Sequence, residues 1–203
     1  KIVTNAGGLN TPALAAKLKE IAAEQGLDVN IAHVEGDDLR ARAEELGWQG
    51  ALTANAYLGA FGIAEALNRG ADIVVTGRVT DASVVIGPAI AHFGWGREDF
   101  DALAGAVVAG HIIECGTQAC GGNFAGFKEL LEAGDFSKPL GFPIAEIEAD
   151  GSFVVTKHDG TGGAVTVDTV TAQLVYEIQG EQYLNPDVTT HFSTIQLEQQ
   201  GPD

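Results

Sequence analysis

A histidine, a carboxylate and both cysteines of the chain fall in one short stretch, His111-Ile-Ile-Glu114-Cys115-Gly-Thr-Gln-Ala-Cys120, which runs on into Gly121-Gly122-Asn123. Two kinds of chemistry draw on these residue types. Cys115 or Cys120 can serve as a thiolate nucleophile or acid–base group, with His111 lowering its pKa by pairing. Alternatively, His111, Glu114 and a cysteine can ligate a metal and leave a position open to water or substrate. A third reading is structural: both cysteines as small buried hydrophobes and His111 at a helix C-terminus. His-x-x-Glu-Cys is a weak metal signature, and no second ligand pair of familiar spacing occurs elsewhere, so no metal is expected. The adjacent glycines allow positive φ and let backbone N–H groups approach a ligand, or they form an ordinary tight turn.

A second constellation, Thr76-Gly-Arg78-Val-Thr-Asp81, follows the β-branched run Ile73-Val-Val-Thr76. In open α/β sheets, ligands sit beyond the carboxyl ends of the strands. Arg78 would be one of few cations there and can hold a carboxylate or phosphate through two donors. Asp81 can orient Arg78, act as a base, or cap the next helix, and capping is the plainest of the three. Asn5-Ala-Gly7-Gly8 and Thr53-Ala-Asn55 also follow strand-like runs and can bring an amide and backbone N–H groups to the same edge. Turn chemistry explains each of them alone. Neither is GxGxxG, so no dinucleotide site is expected. Lys157-His-Asp-Gly-Thr161-Gly162-Gly163 is a third glycine-rich patch, able to cradle a phosphate or carboxylate or simply to join two strands. It lacks the Gly-Lys-Ser/Thr order of a Walker A loop.

The elements that must position these residues read as α/β. The first ~100 residues alternate apolar runs with helical patterns, as a mainly parallel sheet with flanking helices requires. Thr11 is expected to cap a helix with Pro12 at its first turn, ended by Gly26. A strand is expected over Val29–Val34, and helices over 37–46, 56–68, from Asp81 towards Phe93, over 99–113 and from Phe127 to Leu131. The expected α/β domain covers residues 1–136. A smaller mixed, β-rich continuation follows over 137–203, with the change of texture near Gly134–Lys138. In that second part, Ile144–Ile147 and Phe153–Thr156 form a hairpin around Asp150-Gly151. Val165–Val170 alternates like a strand, but Thr169–Ile178 reads better as a helix.

The totals narrow the function. The chain has 203 residues, 45% of them hydrophobic, and a formal charge of −17 from 28 acidic and 11 basic residues. Such a chain can bury a core, and it opposes non-specific binding to nucleic acid or an anionic membrane. No signal peptide or spanning segment is visible. Two closely spaced cysteines read as reduced thiols of a cytoplasmic protein. The chain has no methionine, opens on what reads as a strand already under way and closes on Gly-Pro-Asp203, so a fragment is expected.

The blocks Thr4-Asn-Ala-Gly-Gly-Leu-Asn10, Ala54-Asn-Ala-Tyr-Leu-Gly-Ala60 and Gly70-Ala-Asp-Ile-Val-Val-Thr-Gly-Arg-Val-Thr-Asp81 resemble the acyclic terpene utilisation (AtuA-type) family. The segments 139–146, 156–163, 173–178 and 183–188 resemble it in the same order. The resemblance covers essentially the whole chain, but only the middle of the family domain. It implies a cytoplasmic bacterial protein tied to catabolism of acyclic terpenes such as citronellol and geraniol, or of related branched acids, through acyl-CoA thioesters. The expected activity is a lyase or hydrolase acting on a branched acyl-CoA or hydroxy acid. His111 would be acid or base, with Glu114 beside it, and Cys115 or Cys120 nucleophile or proton donor. Arg78 would be the anchor and the glycine loops an oxyanion or phosphate cradle. The alternatives are a non-catalytic binding subunit beside a carboxylase or lyase, and a metal-dependent enzyme. No cofactor is expected apart from CoA as part of the substrate. The expected partner is a small molecule, and self-association is compatible with everything above.

Overall fold

In the computed structural model, which describes residues 1–133 and 137–201, the chain forms two compact units. The first comprises Lys1–Glu98 with Asn185–Asp187, and the second Asp99–Leu184 with Val188–Asp203. The expected change of texture near residue 134 falls inside the second unit, and Gly134–Phe136 lie outside the described residues.

The first unit is a three-stranded parallel sheet in the order β1-β3-β2, from β1 (Ile2–Thr4), β2 (Ile31–Val34) and β3 (Ile73–Thr76). Register pairs Ile2 and Ile31 with Ile73, and Val34 with Thr76. Because strand side chains alternate, the two faces carry different sets. Helix α1 (Thr11–Glu24) lays Ala15 and Ala22 on the face that holds Ile31 and Ile73. Helix α2 (Phe61–Asn68) packs Ile63 against Val74, with Val3, Ala32 and Val34, on the opposite face. Helix α3 (Ser83–Phe93) packs chiefly on α2 and also meets β1, so it shares α2's side. The chain therefore leaves β1 towards one face and leaves its neighbour β3 towards the other.

Several boundaries differ from the sequence expectation. Helix α1 is capped by Asn10, whose carboxamide oxygen accepts from Ala13 N at 3.3 Å, and Thr11 is the first helical residue. Strand β2 starts at Ile31 and α2 at Phe61, because Leu58 is held in a parallel bridge to Val79. The helix expected over 37–46 shrinks to a 3-10 turn at Arg40–Arg42. Its two aspartates bond elsewhere. Asp38 folds back on the N–H and guanidinium of Arg40, and Asp37 turns inward. Asp81 does not cap α3, because its carboxylate is engaged by Arg78 and Asn5.

The second unit centres on α4 (Phe100–Ile113), whose buried face is small and aliphatic. Around it lie the antiparallel hairpin β4 (Pro143–Ile147) and β5 (Phe153–Lys157), and α6 (Val167–Leu174), and the unit also contains α5 (Phe127–Ala133). The pair β6 (Gln182–Leu184) and β7 (Thr189–His191) completes it. The hairpin turns at Asp150-Gly151 as expected, with Gly151 at φ +88 and Asp150 accepting from Ser152 N at 2.9 Å. Thr166 and Thr169 form a reciprocal capping box that starts α6, which prevents 165–170 from extending as a strand. Its core joins Val108, Ile112, Ala119, Cys120, Val165, Val170 and Leu174. Mixed α/β with a parallel sheet followed by antiparallel pairs is the fold class expected from sequence. Among the described residues, no helix is long and apolar enough to cross a membrane.

Candidate functional site

Opposite departures from adjacent parallel strands open a crevice at their carboxyl ends, the usual ligand position in such sheets. In the first unit the loops after β1 and β3 meet at this edge of the sheet through Asn5, Arg78 and Asp81. Asn5 Nδ2 donates to Asp81 Oδ1 at 3.3 Å, and Arg78 Nη2 donates to the same oxygen. Arg78 Nε donates to the Val79 carbonyl at 3.2 Å, and its guanidinium lies 4.8 Å from the Tyr57 ring centroid. Three contacts thus fix the guanidinium, yet its side chain stays 35% exposed and that of Asp81 50%. A half-exposed ion pair of this kind adds little stability. What it supplies is an oriented cation with donors to spare.

Beneath this cluster is a carboxylate the sequence did not single out. Asp37 is 6% exposed. Its Oδ2 accepts from Arg78 N at 2.8 Å and from Asn55 Nδ2 at 2.9 Å. Gly77 makes room for it, since a Cβ there would lie 2.5 Å from that oxygen. Gly7 is required for a similar reason: its N–H donates to the Thr76 carbonyl, and a Cβ would come within 2.5 Å of that oxygen. The glycine of the first loop therefore lets two strand-end loops touch. A cavity of about 400 Å³ opens beside them, lined in part by Gly8, Glu35, Asp37, Asp38, Arg40 and Asn55. The only signal for Asp37 in the sequence was its place just after a strand, which a helix-start reading of Asp-Asp concealed. At the cavity wall, the Arg40 side chain and N–H hold the Asp38 carboxyl down at about 2.

In the second unit, His111 and Glu114 do share a face, but the arrangement is closed. His111 is 1% exposed. Its Nδ1 lies 3.1 Å from Glu114 Oε1 and its Nε2 3.2 Å from the Leu174 carbonyl oxygen. A carbonyl only accepts, so Nε2 is the nitrogen that carries a hydrogen towards Leu174. Gln173 Nε2 donates to the His111 carbonyl at 3.1 Å, and the rings of Tyr183 and Phe192 pack on the imidazole. Both nitrogens are spent on joining the ends of α4 and α6. Cys115 is half-buried, Cys120 is fully buried, and neither is in a disulfide. Glu114 Oε2, Gln118 Oε1 and Gln173 Oε1 are sealed from solvent and have no hydrogen-bond partner among the described residues.

In the two remaining glycine patches, backbone donors are spent within their own unit. Gly122 N donates to the Thr117 carbonyl and Phe124 N to Gly121, so Gly121-Gly122-Asn123 forms a tight turn. Gly162 N donates to the Pro139 carbonyl, Ala164 N to Cys120, and Lys157 Nζ approaches the Thr161 carbonyl oxygen at 3.5 Å. This loop, with Gly163, is packed onto its own unit. Among the described residues, no group of three or more His, Cys, Asp and Glu side chains is disposed to hold a metal ion.

The sequence profile of the acyclic terpene utilisation family protein AtuA matches residues 1–203. The chain belongs to the acyclic terpene utilisation (AtuA) family. Membership ties it to acyclic terpene utilisation. No curated protein and no solved structure matches the chain significantly.

Proposed function

We propose that this AtuA-family chain carries the substrate site of a catabolic enzyme, a lyase or hydrolase acting on a branched hydroxy acid or branched acyl-CoA. In this reading Arg78 anchors the acid or thioester-derived carboxylate. Asp81, held by Arg78 and Asn5, is the nearby base. The observation that carries the reading is the part-exposed, three-point-fixed guanidinium of Arg78 at the carboxyl ends of β1 and β3. A carboxylate arriving there meets a planar donor array already oriented, so little ordering remains to be done on binding.

The test is calorimetric titration with a short branched acid and with its CoA thioester, on the wild-type chain and on Arg78→Ala. A charge-assisted hydrogen bond contributes roughly 1.5–3 kcal/mol, so Arg78→Ala should weaken binding of the acid ~10- to 100-fold. Arg78→Lys should restore only part of it, because a point charge cannot reproduce the fork. Equal affinities in all three proteins would refute the anchor.

A second reading, a non-catalytic binding subunit beside a carboxylase or lyase, is favoured by one observation. The two side chains best suited to nucleophilic chemistry, His111 and Cys120, are buried and engaged. A reactive cysteine needs an electropositive, partly open setting. Alkylation separates the readings: Cys115 labelling that is fast and blocked by a bound acyl ligand would return the thiol to the chemistry.

A further inference from the structure

We infer that Asp37 is the hydroxyl-recognising acid of the first unit, and that the 400 Å³ cavity it lines takes the hydroxyl-bearing part of the ligand. The inference rests on the assignment of this sheet edge as the ligand site. Asp37 is buried, and both donors it meets, Arg78 N and Asn55 Nδ2, go to Oδ2. Oδ1 accepts no hydrogen bond from the described residues. A buried carboxylate oxygen is seldom left without a donor. Here the side chain is fixed by two bonds on one oxygen, lies on the cavity wall, and offers the other oxygen to whatever enters.

The rest of the wall selects what that is. Glu35, Asp37 and Asp38 contribute three carboxylates. The wall's guanidinium, that of Arg40, is already held by Asp38 through bonds of 2.9 and 2.6 Å. An anionic group is therefore repelled, while a hydroxyl, which donates, is matched to Asp37. The acid end of a ligand belongs at Arg78 and its hydroxyl end at Asp37. The backbone N–H of Arg78, bonded to Asp37 Oδ2, links the two recognition points through one residue. This favours the hydroxy acid over the unsubstituted acid as substrate class. The ribose of a nucleotide-bearing carrier offers the same donors, so adenosine is the control for that source.

The experiment is titration of the chain with a branched 3-hydroxy acid, the same acid without its hydroxyl, the corresponding neutral diol, and adenosine. Wild type should prefer the hydroxy acid over the deoxy acid by at least ~10-fold, the range of a hydrogen bond to a charged group. Asp37→Asn can set its carboxamide oxygen where Oδ2 stands, accepting from Arg78 N and Asn55 Nδ2, and its amide nitrogen where the other oxygen stands. The loop bonds are then kept while the acceptor is lost, and the preference should vanish. The 3-methoxy acid, which cannot donate, probes the same contact on wild type and should bind no better than the deoxy acid, so the test does not depend on the folding of the variant. Persistence of the preference in folded Asp37→Asn, or equal binding of the hydroxy and methoxy acids by wild type, overturns the inference. Equal binding of both acids by wild type, lost in Arg78→Ala, overturns it while sparing the anchor. Binding of the diol alone, lost in Asp37→Asn, supports Asp37 and removes the acid reading. Binding of adenosine in preference to every hydroxy probe reassigns the hydroxyl to a carrier's ribose and overturns the substrate class. No binding of any probe by wild type overturns both.

Discussion

The two units treat their chemistry-bearing residues in opposite ways. In the second, His111, Glu114 and Cys115 are close in sequence and lie at one helix end, where both ring nitrogens of His111 are engaged, by Glu114 and by the neighbouring helix. In the first, Asn5, Asp37, Asn55, Arg78 and Asp81 come from four separate loops and meet only because three parallel strands end together. The local cluster is sealed, and the long-range cluster is open. Polar residues spaced at i and i+3 on a helix can always reach each other, so proximity in sequence is weak evidence of a ligand site. Loops with no local reason to converge, joined by glycines that permit contact, are stronger evidence.

The sharpest way to break this contrast is His111→Ala. If the imidazole is structural, its loss leaves Glu114 Oε1 and the Leu174 carbonyl buried without their partner. Breaking a buried pair costs about 3–5 kcal/mol, so urea unfolding should show a loss of that order. Ligand binding at Arg78 should persist at temperatures where the variant is folded. A variant with near-wild-type stability and no thiol reactivity or turnover would instead place His111 in the chemistry, and the contrast would fail.

The capping box of α6 sharpens the same comparison at a smaller scale. The helix is started by Thr166, which accepts from Thr169 N at 3.1 Å while Thr169 Oγ1 accepts from Thr166 N at 2.9 Å. Thr166→Ala removes the first of these and should lower stability by about 1 kcal/mol, as N-cap losses do. Because Leu174 at the far end of α6 holds His111, thermal melts of Thr166→Ala and His111→Ala should combine non-additively if the helix acts as a single strut. Additive losses would show that the His111 contact is independent of how α6 begins.

How much of this could be read in the residues alone follows the same divide. The β-branched run Ile73–Thr76 declared itself as a buried strand, and the period of Leu14, Leu18 and Ala22 gave α1, because both patterns are local. The shared face of His111 and Glu114 was legible for that reason too. That their bonds are closed was not, since Leu174 and Gln173 lie far along the chain. Arg78 and Asp81 could be proposed from strand-end logic. Asp37 could not, because Asp37-Asp38 before a polar stretch looks like a helix start. Only the tertiary donors Asn55 and Arg78 N draw Asp37 inward and leave too little of the helix to form.

Asp187 gives the smallest and most directional test of the open unit. Asn185–Asp187 reaches the first unit from far along the chain, and Asp187 accepts from Ala60 N, at the start of α2, at 2.8 Å. Burial pushes its carboxyl above the ordinary range, only partly opposed by that N–H and by the charge of Arg97. An acid whose folded pKa is raised binds more protons folded than unfolded, so stability is greatest below the ordinary carboxylate value and falls as pH rises through the raised one. Asp187→Asn keeps an acceptor for Ala60 N and removes the charge. Its melting temperature should therefore exceed wild type slightly at neutral pH and converge with it below about pH 4, near the unperturbed aspartate value. If the variant is instead less stable at neutral pH, the Arg97 attraction outweighs desolvation, and a charge pairing between residues far apart in sequence helps to build the first unit. That outcome would widen the contrast with the second unit, where His111 and Glu114 are only three residues apart.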